Sequence, residues 1–152
     1  MPKDLDAIRA GLTRHYAILL APAGIVLAAW AAFRQLGGPP PFHPEILGPV
    51  AFIGAAVLAL GAPIFARARF VRRVAADQSV PPDAFLAFEK GLLNLALGSA
   101  YFAAAAYVCS ASLFHFGGAF LAALYGAYYY FPSQKRVTQE MRLFRVGRGD
   151  AR

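Results

Sequence analysis

The chain has 152 residues, of which 59% are hydrophobic and 15% are charged, and its formal net charge is +7. A soluble domain of this size has a far more polar composition, so these values predict an integral membrane protein. The basic residues are dispersed over several segments rather than gathered on a soluble module, which argues against a nucleic acid as the partner. No polar segment is long enough to fold separately, and we expect one membrane domain over residues 1–152.

The first apolar run covers about residues 16–34 and follows a basic amphipathic segment that is expected to lie at the membrane surface. A retained helix is favoured over a cleaved signal peptide, because the run is long and two Asp residues precede it. Glycines and prolines between residues 37 and 44 end this helix. The second apolar run covers about residues 46–66, and Pro63 is predicted to kink its last turn.

The third apolar run covers about residues 86–112, and the stretch from Gly91 to Phe114 contains no charged residue. At about 1.5 Å per residue, a helix of that length more than crosses a hydrocarbon core of about 30 Å. A tight turn at 114–118 is expected to lead into a fourth run at about residues 116–132, which ends in tyrosines typical of a membrane interface. The tail, residues 133–147, is predicted to form a basic amphipathic helix on the inner leaflet.

The distribution of Lys and Arg predicts the topology. Fourteen of the fifteen basic residues lie in the N-terminal segment, the central connection and the tail, whereas the other two connections hold only Arg34. Basic loops remain on the cytoplasmic side of a membrane. The sequence therefore predicts an all-α protein with four transmembrane helices, arranged as two antiparallel helical hairpins. Both termini are expected in the cytoplasm, and the membrane is expected to be a bacterial-type cytoplasmic one.

An internal repeat is an open alternative for the origin of this arrangement. Residues 11–38 and 91–118 both begin with Gly-Leu and end with Gly-Gly, as expected if a helical hairpin had been duplicated. Apolar composition alone also produces such coincidences, and the sequence does not decide between the two explanations.

The predicted spans hold few polar side chains, and no Asp, Glu, Lys or Arg lies in the middle of one. Intramembrane ionisable residues are the usual mark of ion-coupled transport, so this pattern disfavours a transporter. The polar candidates within a span all belong to the third run: Asn94, Ser99 and Tyr101. For Asn94 an interhelical hydrogen bond is favoured over a contact with a ligand.

Three residues of the predicted outer loops form a weak candidate metal site: His43, Glu45 and His115. Solvated loop histidines are far commoner than metal ligands, and haem ligation across a bilayer needs histidines within spans. The serines and the single cysteine, Cys109, have no adjacent base, and no phosphate-binding motif is present. We therefore expect no cofactor, and a protein that is not an enzyme is favoured.

Small and basic residues are the remaining candidates. Small residues let helices approach closely, and the expected positions of close packing are Gly54, Gly61, Gly98 and Gly126. Basic residues near the inner leaflet contact anionic lipid or a partner subunit. Those candidates are Arg67, Arg69, Arg72, Arg73, Lys135, Arg136, Arg142 and Arg145.

Together these features favour a non-catalytic accessory, assembly or structural subunit of a larger membrane complex, in contact with other membrane subunits and with anionic inner-leaflet lipids. Two alternatives stay open. A small homo-oligomeric channel or carrier would use the polar residues of the third run along its path. A membrane enzyme acting on a lipid-soluble substrate would use the histidines and the glutamate of the outer loops.

Overall fold

The fold is that of a computed structural model, which describes residues 2–38, 45–75 and 79–146. All regular secondary structure in these ranges is helical, which confirms the all-α part of the predicted fold class. The helices are α1 (Pro2–Gln35), α2 (Leu47–Val74), α3 (Pro82–Val108), α4 (Leu113–Tyr129) and α5 (Gln134–Leu143). Three of them are long and apolar enough to cross a membrane: Leu5–Gln35 of α1, α2 and α3.

α4 is apolar but shorter than these three helices. Its 17 residues rise about 26 Å, against a hydrocarbon core of about 30 Å. The turn before it also differs from the prediction, because it lies at 109–112 rather than at 114–118. The cause is Ser112, whose hydroxyl accepts a hydrogen bond from the backbone N–H of His115 and so caps the first turn of α4. As a result the second Gly-Gly pair of the proposed repeat lies inside a helix, whereas the first follows one.

α3 is the central helix of the bundle. It packs against α1, α2 and α4, and 50% of its most apolar window is buried, against 22% in α2 and 6% in α1. α3 and α4 run antiparallel, since the ring of Tyr107 contacts Phe116 near the turn and Gly126 meets Ala96 farther along. α1 packs mainly on α3 rather than on α2, so the first predicted hairpin is not a packed pair of neighbours.

Two clusters of buried side chains hold the helices together. One is made of alanines from four helices, where methyl groups allow close approach of the backbones: Ala23, Ala51, Ala55, Ala100, Ala103, Ala106, Ala119 and Ala123. The other contains larger side chains, among them Leu12, Phe85, Leu92 and Val137. It lies where α1 and α3 begin and α5 packs, and we call this end of the bundle the basal end.

At the basal end, the N-terminal segment and the tail differ from the prediction that both lie on the membrane surface. Ile8 and Leu12 of the N-terminal segment are buried in the bundle, so this segment continues α1 instead of lying separately on the membrane. In the tail, Val137 and Val146 are buried as well, so α5 turns its apolar side to the protein rather than to lipid. In both cases the rest of the basal end offers apolar protein surface, and covering it removes that area from water.

α2 contains a π-helical turn, Val57–Gly61, close before Pro63. Proline has no N–H, and its ring clashes with the carbonyl one turn earlier. A π-helical turn is a common way for a helix to accommodate such a disturbance without ending. The disturbance expected at Pro63 takes this form, and the helix continues to Val74.

Candidate functional site at the basal end

Two ion pairs fix α5 to the bundle at the basal end. Arg67 of α2 donates hydrogen bonds to both carboxylate oxygens of Glu140 on α5, at 2.8 and 2.7 Å. Arg136 of α5 donates to Oε2 of Glu89 on α3 at 2.9 Å and to the carbonyl oxygen of Tyr130 at 2.7 Å. Such charge-assisted bonds are stronger than neutral ones and fix orientation, so they position α5 against both α2 and α3.

Both carboxylates of these pairs are buried. Glu89 is 2% exposed and Glu140 is 8% exposed. Oε1 of Glu89 has no hydrogen-bond partner among the described residues. A charge taken out of water needs a counter-charge, and Arg136 supplies it directly to Glu89. The fit of α5 therefore depends on this arginine.

Neither glutamate is among the functional candidates predicted from the sequence. The available signal was their register: Glu89 lies four residues after Phe85 and three before Leu92, which is the buried face of α3. Glu140 follows Val137 by three residues, on the buried face of α5. An acidic residue in register with a buried apolar stripe needs a basic partner, and that reasoning leads to the arginines of α2 and α5.

The eight basic candidates divide into two groups. Arg67 and Arg136 are the two that take part in the ion pairs. The other six have exposed side chains: Arg69, Arg72, Arg73, Lys135, Arg142 and Arg145.

The polar candidates of α3 do not line a common path. Oδ1 of Asn94 accepts a hydrogen bond from Nε2 of His15 at 2.8 Å, and the Tyr101 hydroxyl donates to the carbonyl oxygen of Leu19 at 2.7 Å. Both bonds link α3 to α1. Ser99 is buried, and its hydroxyl donates to a carbonyl three residues earlier in its own helix. The geometry gives these residues a role in helix contacts.

Three of the four glycine candidates lie against a neighbouring helix. A Cβ added at Gly126 would lie 2.8 Å from the carbonyl oxygen of Ala96, so α3 and α4 meet backbone to backbone there. Gly54 and Gly98 lie against side chains of facing helices. Gly61 is different, because a Cβ added there would meet no atom within 4 Å.

The candidate metal ligands are not assembled in the described part of the chain. His43 lies outside the described residues, and Glu45 is exposed. Nδ1 of His115 lies 2.8 Å from the Ser112 hydroxyl, and its ring packs beside Gly48. No group of three His, Cys, Asp or Glu side chains that could hold a metal ion occurs among the residues searched, which are those the structure describes.

Two open grooves flank α4 at the basal end. The groove between α2 and α4 has a volume of about 550 Å³ and is lined by residues of α2 from Ala59 to Arg72 and by tyrosines of α4. The groove between α1 and α4 has a volume of about 680 Å³, with Tyr16 on one side and Tyr128 on the other. Both grooves adjoin the ion pairs, because Arg67 lines the first and Arg136 lines the second.

Comparison with known protein families, with curated proteins and with solved structures finds no match for this chain.

Proposed function

We propose that the chain is a non-catalytic accessory subunit of a larger membrane complex, and that α1 is the helix through which it contacts a partner span. The observation that supports this most directly is the exposure of α1. Only 6% of its most apolar window is buried, and it packs mainly on α3. A helix held on one side in this way leaves most of its circumference for lipid or for another protein.

Part of the exposed surface of α1 is a face of small residues. Leu12 and Ala23 are buried and mark the side that faces α3. Because successive helical residues are rotated by about 100°, the opposite side can be read from the sequence. On that side the exposed small residues Ala17, Ala21, Gly24 and Ala28 form a stripe, which we call the small-residue face, and the exposed Ile18 and Ile25 border it. Small side chains make few contacts with lipid chains, but they let the backbone of a second helix approach closely.

The protein packs its own helices by the same means. Gly126 admits the backbone of Ala96, and every buried residue of the cluster that joins four helices is an alanine. A Cβ added at Gly24 would meet no atom within 4 Å among the described residues. The small-residue face of α1 therefore resembles the contacts inside the bundle, which supports a protein partner there.

The proposal includes a four-span arrangement in a bacterial-type cytoplasmic membrane, with both termini and the basal end in the cytoplasm. The distribution of basic residues supports this orientation. α4 would be a short span, accommodated by local thinning of the bilayer, and its terminal tyrosines would lie at the inner interface. The exposed basic residues of the basal end would then face anionic lipid headgroups.

The two alternatives have less support. A path through one bundle needs polar side chains along a shared interior line, and the middle of the described bundle is filled by alanines. An enzyme using the outer-loop residues needs them to converge, and His115 is engaged with Ser112 and packed beside Gly48.

Cysteine accessibility tests the orientation and the fourth span. In a Cys109→Ala background, a single cysteine is placed by Glu45→Cys or by Gln139→Cys, both at exposed positions. We expect a membrane-impermeant maleimide to label Glu45→Cys in intact cells and Gln139→Cys only after the membrane is opened. Three helices separate the two positions, so labelling of both from the same side would mean that α4 does not cross. The reverse pattern would overturn the orientation.

Native mass spectrometry of the protein, purified in mild detergent from its own membranes, tests the accessory role. We expect stoichiometric foreign subunits with the parent chain. Gly24→Leu is expected to reduce them roughly tenfold, the scale of overpacking a close contact. The matched control is Gly11→Leu, which lies on the same helix, also faces open space and is about 100° from the small-residue face. A parent that emerges alone, or equal behaviour of the two variants, contradicts the proposal.

A further inference from the structure

We propose that the groove between α2 and α4 binds an anionic phospholipid of the cytoplasmic leaflet, with the phosphate at Arg72 and one acyl chain along the apolar wall of α2. The groove has a volume of about 550 Å³ and opens on the outside of the bundle. The inference rests on the proposed orientation of the basal end, but it does not depend on the partner complex.

The apolar half of the groove has the shape of a channel for a linear chain. On α2, Leu60, Ile64 and Ala68 recur every four residues and form one stripe about 12 Å long. On α4, the rings of Tyr125 and Tyr129 stack at 5.4 Å between centroids and form the facing wall. A stripe of this length between two helices matches the extended upper part of an acyl chain.

The polar half of the groove follows directly on the same stripe. Arg72 lies four residues after Ala68, lines the groove and is exposed. Arg67 also lines the groove, but its guanidinium is bound to both oxygens of Glu140. That pair brings no net charge and fixes the neighbouring wall. Arg72 is therefore the cation that the groove offers to an anion, and the tyrosine hydroxyls are suited to the interface at the same depth.

The order of these groups favours a lipid over a soluble anion. An arginine adjoining an apolar channel between two transmembrane helices, on the cytoplasmic side, is the arrangement that recognises anionic headgroups together with their chains. A free phosphate would use the arginine alone and leave the channel empty. Charge complementarity therefore selects the headgroup, and the apolar stripe selects an amphiphile.

A lipid titration of the purified protein, followed by native mass spectrometry, tests the polar half. The probes are palmitoyl-oleoyl phosphatidylglycerol and palmitoyl-oleoyl phosphatidylcholine. We expect the parent to prefer the anionic lipid, and Arg72→Gln to weaken its binding roughly tenfold, as the loss of a charged hydrogen bond does. The matched control is Arg73→Gln, an exposed neighbour that does not line the groove. Equal effects of the two substitutions, or equal binding of both lipids by the parent, would overturn the proposal.

A second pair of variants tests the apolar half without changing charge. Ala68→Trp fills the channel, whereas Phe65→Trp changes an exposed residue of the same helix that does not line it. We expect only Ala68→Trp to weaken phosphatidylglycerol binding, and glycerophosphoglycerol, the headgroup without chains, not to compete. Parent-like binding by Ala68→Trp, with an unchanged circular dichroism spectrum, would overturn the acyl-chain assignment, as would competition by the free headgroup. If the lipid test fails but the protein still co-purifies with foreign subunits, the lipid site is wrong and the accessory role stands.

Discussion

Arg136→Met is expected to lower the free energy of unfolding by about 3–5 kcal/mol, the usual result of leaving a buried charge without its partner. Glu89 is 2% exposed, and the one hydrogen bond that its carboxylate makes among the described residues comes from Arg136. The guanidinium of Arg136 also donates to the backbone carbonyl oxygen of Tyr130, and it lies 5.1 Å from the centroid of the Tyr130 ring. The substitution therefore removes contacts of α5 with α3 and with the end of α4. Unfolding in a single detergent, followed by circular dichroism, measures the effect.

A double variant separates the cost of leaving the Glu89 charge unpaired from the cost of the packing that Arg136 loses. Replacing both members of a buried ion pair by apolar residues of similar volume is often nearly neutral, so Glu89→Leu with Arg136→Met is expected to recover most of the loss. Lys135→Met is the matched control, because Lys135 is the exposed neighbour on α5, and it is expected to change stability by less than about 0.5 kcal/mol. If Arg136→Met is no more harmful than Lys135→Met, the ion pair does not hold α5.

The sequence predicted the long helices because the evidence for them is local. A charge-free stretch as long as Gly91–Phe114 favours a buried or membrane-spanning helix wherever its neighbours lie. The structure accordingly makes the helix that carries most of this stretch the centre of the bundle. The end of that helix was less predictable, since the single hydroxyl of Ser112 decides where α4 begins.

The partners of the amphipathic segments were not predictable in the same way. Ile8 and Leu12 recur at helical spacing in the N-terminal segment, and Val137 and Met141 do so in the tail. That spacing is identical whether the apolar side meets lipid or protein. Here the protein's own basal surface takes these side chains. Glu89 and Glu140 were the one indication of contacts within the protein, because a carboxylate on a buried apolar stripe needs a cation beside it.

Gly126→Ala is expected to lower the free energy of unfolding by about 1–3 kcal/mol, the scale of overpacking a close contact, and Gly126→Leu by more. The added Cβ would lie 2.8 Å from the carbonyl oxygen of Ala96 and 3.3 Å from the Ser99 hydroxyl. A backbone oxygen cannot turn aside as a side chain does, so α3 and α4 have to separate along the contact. The same detergent unfolding experiment measures the loss.

Gly117→Ala makes the matched control, because Gly117 belongs to the same helix and a Cβ there would meet no atom within 4 Å. Alanine is the better helix former by about 0.5–1 kcal/mol, so this substitution is expected to leave stability unchanged or raise it. The two substitutions are chemically identical and differ only in what faces the glycine, and opposite signs would assign the difference to the α3–α4 contact. Equal losses would instead mean that glycine matters in α4 for its backbone, and the close contact would lose its role in holding the bundle together.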